Sequence, residues 1–175
     1  MSGAFWSGNW VCSERASVVR STPRGDGGRH ARDPGWRSHV PSSMTRRHEL
    51  YLPELGEPIS HYTHAVRFGD LLFVSGIAPV DAAGALVGGD DVAAQAEHVL
   101  AQLGRVLDAA GLEPRNVLKV TVYLTDIADR PKINPARQAF FEEARPASTL
   151  VEVSALAIPG MKVEIEAIAG FEPAE

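Results

Sequence analysis

The sequence predicts an α+β domain in which two helices pack on one face of a mixed β-sheet. Three observations predict this class: segments with alternating apolar and polar residues, one long segment with helical periodicity, and glycine-containing turns between them. Apolar residues make up 45% of the chain and aromatic residues 7%, which suits a globular protein of this class. The length of 175 residues allows one domain, or one domain with a tail.

The first predicted elements are a β-hairpin and a long helix. Residues 65–68 and 71–75 flank a Gly-Asp turn and are typical of two short strands. The helix is expected to begin after Asp90 or Asp91, because either is a good N-cap and apolar residues then recur at helical spacing. Gly111 is a typical C-terminal stop for this helix.

A strand, a second helix and two closing strands are predicted to follow. Residues 117–124 alternate between apolar and polar side chains, as expected for a half-buried strand. Asn134, followed by Pro135, predicts an N-cap for a helix that runs to about residue 144. In the last strand, residues 163–169, alternation places the charged residues on the face opposite the apolar ones. The resulting order, ββ-α-β-α-ββ, leaves one sheet face uncovered, so oligomerisation is expected.

The first 44 residues differ in composition and are predicted to be a disordered N-terminal extension. They are rich in Ser, Gly and Arg, lack strand or helix periodicity, and contain the only cysteine, Cys12. They carry six arginines against three acidic residues. Met44 is a candidate alternative start, and residues 45–175 are predicted to form the folded domain.

The composition of residues 45–175 argues against several classes of function. This segment carries 11 basic and 19 acidic residues, so nucleic acid is not expected as a partner. The sequence has no apolar run long enough for a membrane span, and without Cys12 no thiol is available for a disulfide or a zinc–cysteine site. A cytoplasmic location is therefore expected.

Several short runs occur together in a characteristic order and spacing, and each run alone is a weak signal. They are residues 61–66, 72–76, 86–90, 109–112, 120–126, 145–153 and 163–169. In this order they resemble the RidA/YjgF family of imine and enamine deaminases, from about Gly56 to Phe171. The resemblance implies a chorismate-mutase-like fold, a homotrimer with small-molecule sites between subunits, and no cofactor.

The resemblance also implies which residues form the site. Glu164 maps to the catalytic carboxylate, which positions a water molecule and moves protons. The residues that map to substrate-binding positions are Tyr62, Ser75, Gly76, Asn134, Ser148, Thr149 and Leu150. His61 and His64 depart from the family motif and are candidates for additional pocket residues. No metal site is expected, because these histidines lack further ligands at suitable spacing.

Ser148 stands where the family has the arginine that holds the substrate carboxylate. A guanidinium binds a carboxylate through two parallel hydrogen bonds, which a hydroxyl cannot copy. Its loss should cost an acidic substrate roughly 1.5–3 kcal/mol of binding free energy. Arg145 lies three residues earlier, and this odd offset directs it to the opposite face of a strand. An altered substrate that lacks the usual carboxylate is therefore expected.

The expected function is hydrolysis of a reactive imine or enamine metabolite with release of ammonia, on a substrate altered by Ser148. A non-catalytic trimeric module that binds a small metabolite or a partner protein is the alternative. Endoribonuclease activity, which some family members show, is least favoured because residues 45–175 are acidic. By pattern alone, Glu164 is also compatible with a solvated carboxylate, Tyr62 with a packing residue and Asn134 with a helix cap.

Overall fold

A mixed β-sheet covered on one face by two α-helices forms the fold. The structure is a computed structural model and describes residues 17–19 and 47–172. Within these ranges the strands are β1 (Ser17–Val19), β2 (Arg47–Tyr51), β3 (Ala65–Phe68), β4 (Leu71–Ile77), β5 (Val117–Leu124), β6 (Ala147–Glu152) and β7 (Val163–Gly170). The α-helices are α1 (Val92–Ala109) and α2 (Arg130–Phe141). The α+β class predicted from the sequence is confirmed.

The strand order places the last strand of the chain in the middle of the sheet. The order is β1-β2-β3-β4-β7-β5-β6, so β7 pairs antiparallel with both β4 and β5. Strand β6 lies at the edge and pairs with β5 in the parallel direction, which makes the sheet mixed. The segment that carries Glu164 is therefore held on both sides by hydrogen-bonded neighbours.

The alternation predicted for β5 and β7 is present in the structure. Val120, Val122 and Ile165 are at most 1% exposed, whereas Glu164 and Glu166 lie on the other face and are partly exposed. The buried face packs against α1, whose buried residues recur at helical spacing: Val92, Ala96, Val99, Leu100, Leu103, Val106 and Leu107. Asp91 caps this helix by accepting hydrogen bonds from two backbone N–H groups. No helix in the described part of the chain is long and apolar enough to cross a membrane.

The prediction that Asn134 caps α2 is wrong. The helix begins five residues earlier than predicted, at Arg130, with Asp129 as its N-cap residue and Pro131 in its first turn. Pro135 therefore lies inside the helix, where its ring removes one backbone hydrogen bond. Two prolines one turn apart are both compatible with a helix start, and the structure uses the first of them.

Two features of the N-terminal part were not predicted. Strand β2 was missed, and it pairs antiparallel with β3 from Arg47 opposite Phe68 to Leu50 opposite Ala65. The extension predicted to be disordered contains β1, which pairs with β2. Its remaining residues, including Cys12 and Met44, lie outside the described residues, so disorder there stays a prediction.

Gln95, which is fully buried in α1, joins this helix to the segment that leads into β7. Its Nε2 donates hydrogen bonds to the carbonyls of Gly89 at 2.6 Å and Gly160 at 2.9 Å. Its Oε1 accepts a hydrogen bond from the backbone N–H of Lys162 at 2.8 Å. Since Lys162 lies two residues before Glu164, this amide also positions the start of the strand that carries the candidate catalytic residue.

Replacing Gln95 by leucine should destabilise the fold. The substitution leaves two carbonyls and one N–H without their partner, at a cost of about 2–4 kcal/mol in the free energy of unfolding. Urea denaturation followed by circular dichroism measures this change. The matched control is Gln138→Leu on the exposed face of α2, which should change stability by less than about 0.5 kcal/mol. Equal urea midpoints for the two variants would contradict the prediction.

Candidate functional site

Glu164 projects from β7 onto the sheet face that carries no helix. It pairs with Tyr123 of β5, and its carboxylate is half-buried. Burial raises the pKa of the Glu164 carboxyl above its ordinary value, and the negative charge of Glu166 raises this pKa further. Among the described residues no ion pair includes Glu164. Such an environment is more typical of a functional carboxyl than of a solvated one.

Gly76 of β4 leaves the space that the Glu164 carboxylate occupies. A Cβ atom at this position would overlap Oε1 of Glu164 and lie 2.9 Å from its Cδ. The pairing of β4 with β7 shifts register here, between Val74 and Ile77. Any larger residue at position 76 would displace the carboxylate, which explains the small residue predicted for the pocket wall.

A small cleft of about 80 Å³ next to Gly76 brings together four of the predicted site residues. These are Tyr62, His64, Ser75 and Gly76, and the remaining lining comes from residues 55–59, residues 77–84, α1 and Ile158. Tyr62 is 46% exposed, so it lies at the mouth of the cleft. His61 is exposed and does not line this cleft.

The polar groups of Ser75 and His64 are held by backbone contacts. The Ser75 hydroxyl donates a hydrogen bond to the Thr63 carbonyl at 2.6 Å. Nδ1 of His64 accepts a hydrogen bond from the backbone N–H of Leu52 at 3.1 Å, and burial lowers the pKa of this imidazole. The His64 ring is thus held against the backbone and forms part of the cleft wall. Residues 47–172 contain no cluster of three or more His, Cys, Asp or Glu side chains that would hold a metal ion.

Ser148 lies on the opposite face of the sheet from Glu164. It pairs with Val120 of β5, and Val120 pairs with Ala167 of β7, three residues along the strand from Glu164. This separation is about 10 Å along the strand direction. Because paired residues share a face and successive residues alternate, Ser148 lies on the helix side and Glu164 on the open side. One protomer therefore does not bring both side chains to the same ligand.

Ser148 contacts Arg137 of α2, a residue that the sequence reasoning missed. Nη2 of Arg137 donates a hydrogen bond to the Ser148 hydroxyl at 2.9 Å. The Arg137 Nε is buried and has no hydrogen-bond partner among the described residues, and burial lowers the pKa of the guanidinium. The sequence did contain one signal for Arg137. It lies three residues after Asn134, and this spacing places both residues on one side of a helix once the start of α2 is known.

The other predicted binding residues are divided between the two faces. The Thr149 hydroxyl accepts a hydrogen bond from Nζ of Lys119 on the open face. Leu150 is directed to the helix side, where it packs against the hydrophobic core. Asn134 is exposed on α2 and does not line the cleft beside Gly76.

The uncovered sheet face carries apolar side chains and a broad depression of about 320 Å³. Phe73 of β4 lies in its lining together with Lys119 and Glu166. Phe68, Leu71 and Phe73 are between 38% and 53% exposed, which is unusual for large apolar residues that share one sheet.

Comparison with known proteins places this geometry in a family. Residues 54–171 match the family described as Endoribonuclease L-PSP. A RutC family protein of Pyrococcus horikoshii is 41% identical over 69% of this chain and 94% of its own length. The 3-aminoacrylate deaminase RutC of Acinetobacter baylyi is 36% identical over 69% of this chain and 96% of its own. The 2-iminobutanoate/2-iminopropanoate deaminase of Salmonella typhimurium is 38% identical over 63% of this chain and 88% of its own length.

A solved structure shares the fold as well as the sequence. The crystal structure of Escherichia coli TdcF with bound serine superposes with a TM-score of 0.65 at 32% identity, covering 71% of this chain and 98% of that one. The family match, the relatives and the shared fold agree with one another. This chain belongs to the RidA/YjgF family, also described as Endoribonuclease L-PSP, and has its chorismate-mutase-like α+β fold.

Proposed function

We propose that this protein hydrolyses a reactive imine or enamine metabolite and releases ammonia, with Glu164 directing the attacking water. The observation that carries the proposal is the half-buried Glu164 carboxyl, which lies against Gly76 and has a raised pKa. The relatives named as deaminases of imino acids and of 3-aminoacrylate support the reaction class.

The reaction needs a group that both accepts and returns a proton. Water forms a C–O bond to the carbon of the C=N group, and the C–N bond then breaks. Both protons of the water end on the nitrogen, which leaves as ammonia, and the product is a carbonyl compound. The Glu164 carboxylate would accept a proton from water and pass it to the nitrogen. A pKa above the ordinary glutamate value makes the carboxylate a stronger base for the first of these steps.

A complete site is proposed to need two protomers of a homotrimer. Glu164 and Ser148 lie on opposite faces of the sheet, so a ligand that contacts both would lie between neighbouring subunits. The exposed apolar side chains of the open face are a suitable surface for such association. Position 148 itself offers a hydroxyl in place of the family guanidinium, so the contacts made by this residue are expected to differ from those in the relatives.

Replacing Glu164 by glutamine should reduce turnover by about 10²- to 10⁴-fold, because the amide cannot accept the proton from water. The change in turnover is measured as ammonia release from two substrates. One is freshly generated 2-iminopropanoate, which is acidic, and the other is its amide, which is uncharged. The matched control is Glu143→Gln, an exposed carboxylate beyond the end of α2, which should keep full activity. Full activity of Glu164→Gln on both compounds would exclude the proposed mechanism and favour a non-catalytic binding module.

The pH dependence of kcat/KM should show the raised pKa of Glu164. If the carboxylate is the active form, activity falls as the pH drops through this pKa, so the acid limb lies above the ordinary glutamate value of 4.5. Replacing Glu166 by glutamine removes a negative charge that disfavours ionisation of Glu164, so it lowers this pKa and moves the acid limb to lower pH. An acid limb that shifts to higher pH in Glu166→Gln would contradict this assignment.

Replacing Phe73 by aspartate should dissociate the proposed trimer. The substitution places a charge in the apolar face, where burial against another subunit would be costly. Sedimentation velocity is expected to give a trimer for the unmodified chain and a monomer for the variant. Ala101→Asp, on the exposed side of α1, is the control and should remain trimeric. A monomeric unmodified chain would contradict the proposed assembly.

A further inference from the structure

We infer that Arg137 and Ser148 form an anion-binding subsite, and that this subsite holds the carboxylate of an acidic substrate. The identity of the ligand as a substrate rests on the proposed function. The subsite itself rests on the position and the unused hydrogen-bonding capacity of the Arg137 side chain.

The Arg137 guanidinium has an N–H donor for which the described part of the chain provides no acceptor. One amino group donates to Ser148, while the buried Nε has no partner. Buried polar atoms in folded proteins are usually hydrogen-bonded, so an unpaired one requires an explanation. The guanidinium therefore has hydrogen-bonding capacity beyond its contact with Ser148.

The charge of Arg137 is also uncompensated. None of the ion pairs among the described residues includes Arg137, although its side chain is about half-buried. Burial lowers the pKa of this guanidinium, as expected for a cation that loses solvent without gaining an ion-pair partner. A half-buried cation without a counter-ion favours an anionic ligand. A planar guanidinium fits a carboxylate through two parallel hydrogen bonds.

The surroundings of Arg137 leave a ligand room to approach. Ser148 lies on β6, the edge strand, and its small side chain is exposed. Asn134 is one helical turn before Arg137 on the same side of α2, so its amide is available as an additional donor. The Arg137 guanidinium contacts the Ser148 hydroxyl, so it lies beside the position from which an arginine side chain at residue 148 would extend.

This arrangement changes what Ser148 implies about the substrate. The residue at position 148 considered alone predicts a ligand without a carboxylate, because a hydroxyl cannot replace the guanidinium fork. With Arg137 against Ser148, the cation comes from α2 instead of β6, and an acidic ligand is again expected. The imino acid named for the Salmonella typhimurium relative and the serine bound to TdcF both carry such a carboxylate.

Binding of pyruvate, the product of 2-iminopropanoate hydrolysis, tests the subsite independently of turnover. Isothermal titration calorimetry on the full chain should show that Arg137→Met weakens pyruvate binding by about tenfold to a hundredfold, since it removes charge-assisted hydrogen bonds but keeps the apolar stem. Arg105→Met, an exposed arginine on α1, is the matched control and should bind pyruvate like the unmodified chain. Pyruvamide, which lacks the charge, should bind the unmodified chain and Arg137→Met equally.

A second variant distinguishes ligand binding from a structural role. Adding Ser148→Arg to Arg137→Met moves the guanidinium from α2 to β6 and should restore most of the pyruvate affinity. In the presence of Arg137 the same substitution should gain less, because two guanidinium groups would then repel each other. If Arg137→Met does not fold, Arg137→Lys replaces it. The lysine keeps the charge but not the fork, and should weaken pyruvate binding by a smaller factor than tenfold to a hundredfold.

Two results would overturn the inference. One is equal pyruvate affinity in the unmodified chain and Arg137→Met, and the other is no measurable pyruvate binding by the unmodified chain. A failure of the proposed function looks different, because Glu164→Gln would then leave ammonia release unchanged while pyruvate binding still depended on Arg137.

Discussion

The insertion of β7 between β4 and β5 is the constraint on which the candidate site depends. A strand paired on both sides cannot slip by one residue without moving its whole apolar set from the core to the open face. Val163, Ile165 and Ala167 are buried against the helices, so Glu164 has to point away from them. The hydrophobic core thus fixes the direction of the Glu164 carboxylate, although this carboxylate is not part of the core.

The two candidate ligand-binding groups, Glu164 and Arg137, carry opposite charges and lie on opposite sides of the sheet. Glu164 is a half-buried acid whose pKa is raised by burial and, in addition, by the negative charge of Glu166. Arg137 is a half-buried base whose pKa is lowered by burial. Each would gain from a partner of opposite charge or from a ligand. Since the sheet separates them, they do not neutralise each other within one protomer.

Periodicity predicted the parts of the fold that burial determines. The alternating strands β5 and β7 and the apolar face of α1 were recognised because one face of each element is packed against the core. The start of α2 was not, because Pro131 and Pro135 are equally acceptable in a first turn and Asn134 favoured the second. Strand β2 was missed because it has only five residues and, among them, only Leu50 is buried.

The sequence by itself determined the fold class and the position of Glu164 on the polar face of its strand, since these depend on local patterns of apolar and polar residues. It also indicated the family, through the order and spacing of short runs that resemble it. Only the tertiary structure decided that Gly76 makes room for this carboxylate and that Ser148 lies against Arg137. Both contacts join residues that are distant in the chain or on different elements. Their distances depend on strand register and helix packing, which no single segment of the sequence encodes.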